Sequence, residues 1–191
     1  MGLTIGKATN WLSVGMGKPL LINLYGGPGA GKTTTALALA GNLKMRGYEA
    51  EYVPEYAREL ALEGKLTGCP QFDILMEQTK RLIRAIGTGI EVVITDSPIL
   101  LQSLYAAYEA DRVRAVVLHT ALATVFDMRD FIITNDRESH SMVGRVTPKV
   151  IAMQKDAECL TALQDVGACY EVTKKEAALD YILSRCIAAL Q

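Results

Sequence analysis

Apolar runs and helically spaced apolar positions alternate along the chain from residue 19 onward. "PLLINLY" (19–25) is a continuous apolar run that stops at a glycine pair, the pattern of a buried strand. "KTTTALALAGNLKMRG" (32–47) reads as a helix closed by Gly47. "YEAEYVPEY" (48–56) is a second strand broken by Pro54. "QFDILMEQTKRLIRAIGTG" (71–89) carries Phe72, Leu75, Met76, Leu82, Ile83 and Ile86 at helical spacing. "EVVITDSP" (91–98) is a third strand, ended by Asp96 and Pro98. The long stretch 99–130 is apolar at helical spacing and predicts two helices; alanine-rich flanks place "VRAVVLH" in a helix rather than a strand. "FIITN" (131–135) is a fourth strand, and "DRESHSMVGRVTP" (136–148) is a polar, glycine-broken loop or flap. A helix over 149–167, a short strand "ACYEV" (168–172) and a closing helix over 175–191 complete the chain.

Alternating strands and helices predict an α/β domain with a parallel sheet. No repeat or low-complexity linker divides the chain, so residues 1–191 read as one domain, with 1–18 as an N-terminal extension and 136–148 as a lid. The extension either pairs as an extra edge strand or reaches over the acceptor site with Trp11.

Half of the 191 residues are hydrophobic, enough for a sizeable core, and the formal net charge is -1. A near-neutral chain has no global positive field to draw it to nucleic acid or membrane. No stretch approaches the ~20 apolar residues of a membrane span. The N-terminus lacks the apolar core of a signal peptide, and Gly6 stands where a myristoylation signal needs Ser or Thr. The four cysteines form neither a CxxC pair nor a cluster with zinc spacing, so they read as reduced thiols of a cytoplasmic protein.

The sharpest chemical signal is "GGPGAGKTT". Gly26, four residues, then Gly31-Lys32-Thr33 satisfies GxxxxGK[ST] between a buried strand and a helix, the context the motif requires. A loop that curls around a polyphosphate must turn its N–H groups inward, and side chains would obstruct it. Gly26, Gly27, Gly29 and Gly31, with Pro28 and Ala30 between them, supply a nearly bare backbone. The helix that begins with Lys32, Thr33 and Thr34 directs its free N–H groups at the anion. Lys32 reaches the β- and γ-phosphates, and the Thr33 hydroxyl is a Mg²⁺ ligand. Asp96, at the tip of the third strand, is the expected second anchor for Mg²⁺, through a water. It also fits a cap for the segment that follows.

The loop binds a nucleotide but leaves the recipient of the phosphoryl group open. Switch GTPases carry DxxG and NKxD; here Asp96 is followed by "SPI", and "TNDR" (134–137) has no lysine where NKxD needs one. ParA-type ATPases place a lysine before the glycine pair, where this chain has Tyr25. Too few residues follow the core for the helical lid domain of an AAA+ motor. A kinase, by contrast, needs a carboxylate near the acceptor hydroxyl and cations that close over the phosphates. "YVPEYAREL" (52–60) puts Glu55 and Arg58 at the carboxyl edge of the sheet, where ligands of such folds bind. The bland alternative there is an exposed helix start with a Glu–Arg pair. Arg137 and Arg145 flank the polar loop and are candidates to stabilise the transferring phosphoryl group; the bland alternative is a solvated loop with two ordinary surface arginines. Tyr56, Gln78, Arg81, Gln102 and Tyr105 are candidate acceptor contacts: amides read base edges, tyrosine stacks, and arginine holds phosphate; each reads equally as an ordinary surface or core helix residue. His140, in the same loop, reads as a bystander.

"GGPGAGKTT", "YVPEYARE", "VVITDSP" and the later "R…GR" before a helix resemble the P-loop kinases related to the ribosylnicotinamide kinase domain of NadR. That group is often classed with AAA-type ATPases and often encoded by bacteriophages. The matching features span about residues 19–165. The layout is also similar to deoxynucleoside and thymidylate kinases, and to phage kinases of 5-hydroxymethyluracil in DNA. The resemblance implies a three-layer fold with strand order 2-3-1-4-5, ATP as donor with Mg²⁺, and Glu55 as catalytic base. It implies adenine near Val172 and Thr173, and a monomer or homodimer in the cytoplasm, the host's if phage-encoded. The acceptor it implies is a nucleoside, a nucleotide or a modified base in DNA. Deoxynucleoside kinases carry an acidic-Arg-Ser motif where this chain has Asp96-Ser97-Pro98. The competing function is a regulatory NTPase that hydrolyses ATP or GTP and acts through a protein partner.

Overall fold

The computed structural model describes residues 17–134 and 149–191, with 149–153 as backbone only. Arg137, Arg145, His140, the expected lid and Trp11 lie outside the described residues. Five strands, β1 (Leu20–Tyr25), β2 (Ala50–Val53), β3 (Val92–Thr95), β4 (Asp127–Thr134) and β5 (Tyr170–Lys174), form one parallel sheet in the order β2-β3-β1-β4-β5. This is the fold class and strand order expected above.

Strand β1 sits in the centre of the sheet and is buried on both faces, which is why its sequence is an unbroken apolar run. Its even positions, Leu20, Ile22 and Leu24, pack with α1 (Lys32–Met45) and α6 (Ala178–Leu190) through Ala36, Leu39, Leu43, Ile182 and Cys186. Leu21, on the opposite face, packs with Leu75 and Leu82 of α3 (Gln71–Ile83) and with Ala115 and Leu122 of α4 (Glu109–Val125). Tyr25 packs further along that face against Leu100, Leu101, and Cys159 and Leu163 of α5 (Lys149–Asp165). Three layers result, with every strand's carboxyl end at one edge.

Several boundaries differ from expectation. Strand β4 begins at Asp127, inside the stretch expected to be helical. Helix α4 ends at Val125, Phe126 is buried in extended backbone, and the Asp127 N–H bonds the Pro19 carbonyl at 3.0 Å. The four polar or half-exposed positions Asp127–Asp130 pair with Leu20–Asn23, so sheet pairing outweighs their helical neighbourhood. Residues Ile99–Tyr105 form a 3-10 helix rather than an α-helix. It follows directly on Pro98, whose carbonyl accepts the Leu101 N–H at 3.0 Å. Helix α3 ends at Ile83, and Gly87 and Gly89 then turn the chain at positive φ. Strand β2 ends at Val53, and Tyr56–Leu62 form a short helix, α2. Strand β5 lies two residues further along than expected, and α6 starts three residues later.

Candidate active site

The phosphate loop leaves β1 at Tyr25 and enters α1 at Lys32. Gly26 has φ +135°, and a β-carbon there would lie 2.6 Å from the Ile133 carbonyl oxygen of β4. Only glycine fits where the loop runs this close to the neighbouring strand. Gly29 and Gly31 also adopt positive φ, and the Gly31 backbone lies against the Lys175 side chain just beyond β5. Ala30 is fully buried, Pro28 is half-buried and Thr34 is exposed. The first helical bond of α1 runs from Thr35 to the Gly31 carbonyl at 2.9 Å, and no side chain caps the N-terminus. The first-turn N–H groups therefore have no acceptor within the helix and face the loop. Lys32 Nζ donates to the Gly26 carbonyl at 2.6 Å and the Gly27 carbonyl at 3.4 Å. Burial pulls its pKa below the ordinary lysine value, opposed by Cys159 and by the carboxylates of Glu55, Asp96 and Asp156.

Beside the loop, Asp96 follows β3 and is 4% exposed. Its Oδ2 accepts the Thr33 hydroxyl, and its Oδ1 is buried with no hydrogen-bond partner among the described residues. An orphaned carboxylate oxygen beside a threonine hydroxyl and a phosphate loop has the chemistry of a hard divalent cation site. The Tyr52 hydroxyl of β2 faces the same carboxylate; burial and Asp96 push its pKa up.

Glu55 is the N-cap residue of α2, in extended backbone right after Pro54. Burial, and then the neighbouring Asp96, raise its pKa above the ordinary glutamate value; Lys32 and Arg58 pull the other way. Glu55, Lys32 and Asp96 thus form one electrostatic group, although they come from three separate segments of the chain. Arg58, exposed, contributes to it from the first turn of α2. The structure holds both features read from this segment, a carboxylate at the sheet edge and a helix start.

The other acceptor candidates are placed differently. Gln78 is fully buried: its Oε1 accepts the Tyr56 N–H at 2.9 Å, and its Nε2 donates to the Pro54 carbonyl at 3.2 Å. Its amide holds the turn that carries Glu55 and does not face the cleft. Gln102 is likewise buried, donating to Ser97 Oγ at 2.8 Å and accepting from Gln71 at 3.0 Å. It braces the segment after Asp96. The Arg81 guanidinium is paired twice with Glu59 at 2.7 Å and once with Glu77 at 3.2 Å. It also lies over the Tyr56 ring at 4.5 Å from its centroid, so its charge is paired and its flat face is stacked within the protein. Charge pairing and buried amide bonds thus give Gln78, Gln102, Arg81 and Tyr56 the structural reading open to them as core or paired helix residues.

Tyr105 does face open space. It lines a cleft of about 520 Å³ with Pro70, Phe72, Tyr108, Asp111 and Arg114. Phe72, Tyr105 and Tyr108 are exposed, and the Arg114 guanidinium lies 4.9 Å from the Phe72 ring centroid while pairing with Asp111 at 2.7 Å. Partial burial of its hydroxyl, and then the charge of Glu55, raise the Tyr105 pKa to about 12. Phe72 is one of the apolar residues at helical spacing in this segment, and that spacing does not set it apart from its buried neighbours. Its only signal was position, in the first turn of α3 rather than on the buried stripe. Thr173 is buried on β5 and Val172 is exposed beside it.

The sequence matches the family described as AAA domain over residues 21–177. No curated protein matches it. Among solved structures, it is similar to thymidylate kinase from Ehrlichia chaffeensis, at TM-score 0.55 and 16% identity over 92% of this chain and 100% of that one. It is also similar to the NadR protein in complex with NR, at TM-score 0.60 and 18% identity over 82% of this chain. The match covers 45% of that NadR chain. At these identities the likeness is one of fold, the three-layer P-loop kinase-type fold.

Proposed function

This chain belongs to the AAA domain family, and on that premise we propose that it is an ATP- and Mg²⁺-dependent kinase. Its acceptor is a hydroxyl or phosphate of a nucleoside, nucleotide or modified base. One observation carries the reading. A second carboxylate, Glu55, sits beside Asp96 and Lys32 without sharing the Thr33 contact of Asp96. A carboxylate so placed can orient an acceptor hydroxyl and take its proton, the group that phosphoryl transfer to a hydroxyl calls for.

In the proposed reaction, Glu55 takes the proton of the acceptor hydroxyl as the acceptor oxygen bonds the γ-phosphorus. The bond from the γ-phosphorus to the β–γ bridging oxygen breaks, and ADP leaves with that electron pair. A Glu55 pKa raised by burial makes the carboxylate a better base than an exposed glutamate. Lys32 and the loop N–H groups neutralise the charge that builds on the leaving phosphate. The Thr33 hydroxyl and the orphaned Asp96 Oδ1 fit Mg²⁺, which when bound supplies further charge neutralisation at the phosphates. The aromatic cleft around Tyr105 suits a planar acceptor. Arg137 and Arg145 are proposed to complete the charge clamp from segment 136–148.

The test is transfer from γ-labelled ATP. Nucleosides, nucleoside monophosphates, nicotinamide riboside, and DNA with and without 5-hydroxymethyluracil are offered in turn. Label on an acceptor is the expected result. Label found only as free phosphate with every acceptor would favour the regulatory NTPase instead.

A further inference from the structure

Helix α5 carries three residues that the proposed chemistry does not use, and they reach in two directions. Asp156 accepts the Gly27 N–H of the phosphate loop on its Oδ1, across 129 residues of sequence. Cys159, one turn later and 1% exposed, has its thiol toward the Gly26 backbone. Lys155 turns the other way. Its Nζ lies 5.0 Å from the Tyr105 ring centroid, donates to the Leu104 carbonyl at 3.4 Å and pairs with Glu158 at 2.6 Å. One turn of helix therefore contacts both the donor loop and the wall of the acceptor cleft.

The start of the loop needs such a hold. Gly26 and Gly27 have no side chains to anchor them, and glycine is free to leave its observed conformation. Lys32 ties their carbonyls from inside the loop. A carboxylate on the Gly27 N–H is the matching tie from outside, and a charge-assisted bond is stronger than a neutral one. We propose that Asp156 is a positioning residue for the phosphate loop. Its carboxylate fixes Gly27 to the helix that also braces Tyr105 through Lys155, keeping donor and acceptor in register. The inference rests on the reading of this loop as a nucleoside triphosphate site. It assigns Asp156 no contact with the reacting atoms.

The experiment uses the full chain and reads nucleotide affinity, which needs no acceptor. Asp156→Ala and Asp156→Asn are compared with wild type by titration of a fluorescent ATP analogue with Mg²⁺, alongside Tm. Asparagine still presents an oxygen to the Gly27 N–H. The expected result is affinity about tenfold weaker or more in the alanine protein, and within about threefold of wild type in the asparagine protein. Equal affinity in all three overturns the proposal. So does tighter binding in both variants, which would make Asp156 a competitor of the phosphates. If the alanine protein does not fold, amide exchange of the 26–31 loop decides. Slow exchange in wild type and in Asp156→Asn supports the tether, and exchange at the free-peptide rate in wild type overturns it. Failure of the kinase reading is separate: it appears as label released only to water by wild type, whatever Asp156 does.

Discussion

Gln78 closes the backbone around Glu55, accepting the Tyr56 N–H at 2.9 Å while donating to the Pro54 carbonyl at 3.2 Å. One buried amide on α3 thereby satisfies both residues that flank the proposed base. Gln78→Leu fills similar space but leaves a donor and an acceptor unpaired. Each such loss costs about 1–3 kcal/mol when buried. The variant should lose stability on that scale in denaturant unfolding. It should also lose about tenfold in kcat with ATP affinity unchanged, because the turn that aims Glu55 is released.

Glu55→Gln should lower transfer by about 10²–10⁴-fold, the usual range for a general base, with ATP binding within about threefold of wild type. A loss of less than about tenfold removes Glu55 from the base role. The wild-type pH profile provides a second check. Transfer needs the deprotonated carboxylate, and burial and Asp96 raise the Glu55 pKa. Activity should therefore fall with decreasing pH sooner than it would for an ordinary glutamate, and that acid limb should vanish in Glu55→Gln.

Asp96→Asn keeps a partner for Thr33 but removes the charge at the orphaned oxygen. The Mg²⁺ concentration for half-maximal turnover should rise at least about tenfold, as expected where a hard cation loses a carboxylate. Titration of activity against free Mg²⁺ measures it. An unchanged Mg²⁺ requirement would remove Asp96 from the metal site.

Asn23 and Asp130 are register partners on β1 and β4, and Asn23 Nδ2 donates to Asp130 Oδ1 at 2.8 Å. Burial raises the Asp130 pKa from 3.8 to about 6, with the Asn23 bond opposing. A carboxyl whose folded pKa is raised contributes its stability below the unfolded pKa and loses it as pH rises through the folded one. The loss falls between about pH 4 and pH 6 and amounts to at most about 3 kcal/mol, from ~1.4 kcal/mol per unit. Asp130→Asn should match wild type in Tm near pH 4 and exceed it above pH 7. A Tm difference that does not change with pH would contradict this account.

The parts that were legible in the sequence are those whose chemistry is contiguous. The loop from Gly26 to Thr34 announces itself because the bare backbone, the lysine and the hydroxyl must be neighbours in the chain to surround one phosphate chain. Glu55 and Asp96 were legible by position, since each lies just past the end of a strand at the carboxyl edge of a parallel sheet. Sheet pairing was less so. Asp127–Asp130 carry no strand pattern, and only the open edge of β1 beside them draws them into β4.

From the sequence alone came the element alternation, the phosphate loop and the two carboxylates, because periodicity and motif spacing are local properties. Strand order came with the family resemblance. Tertiary structure alone decided how the polar side chains of the helices are used. It turned Gln78 and Gln102 inward and locked Arg81 between Glu59 and Glu77. It opened a cleft at Phe72, Tyr105 and Tyr108, and brought Asp156 to Gly27. An amide, guanidinium or carboxylate takes its role from whichever partner packing puts within about 3 Å, and no window of sequence contains that partner.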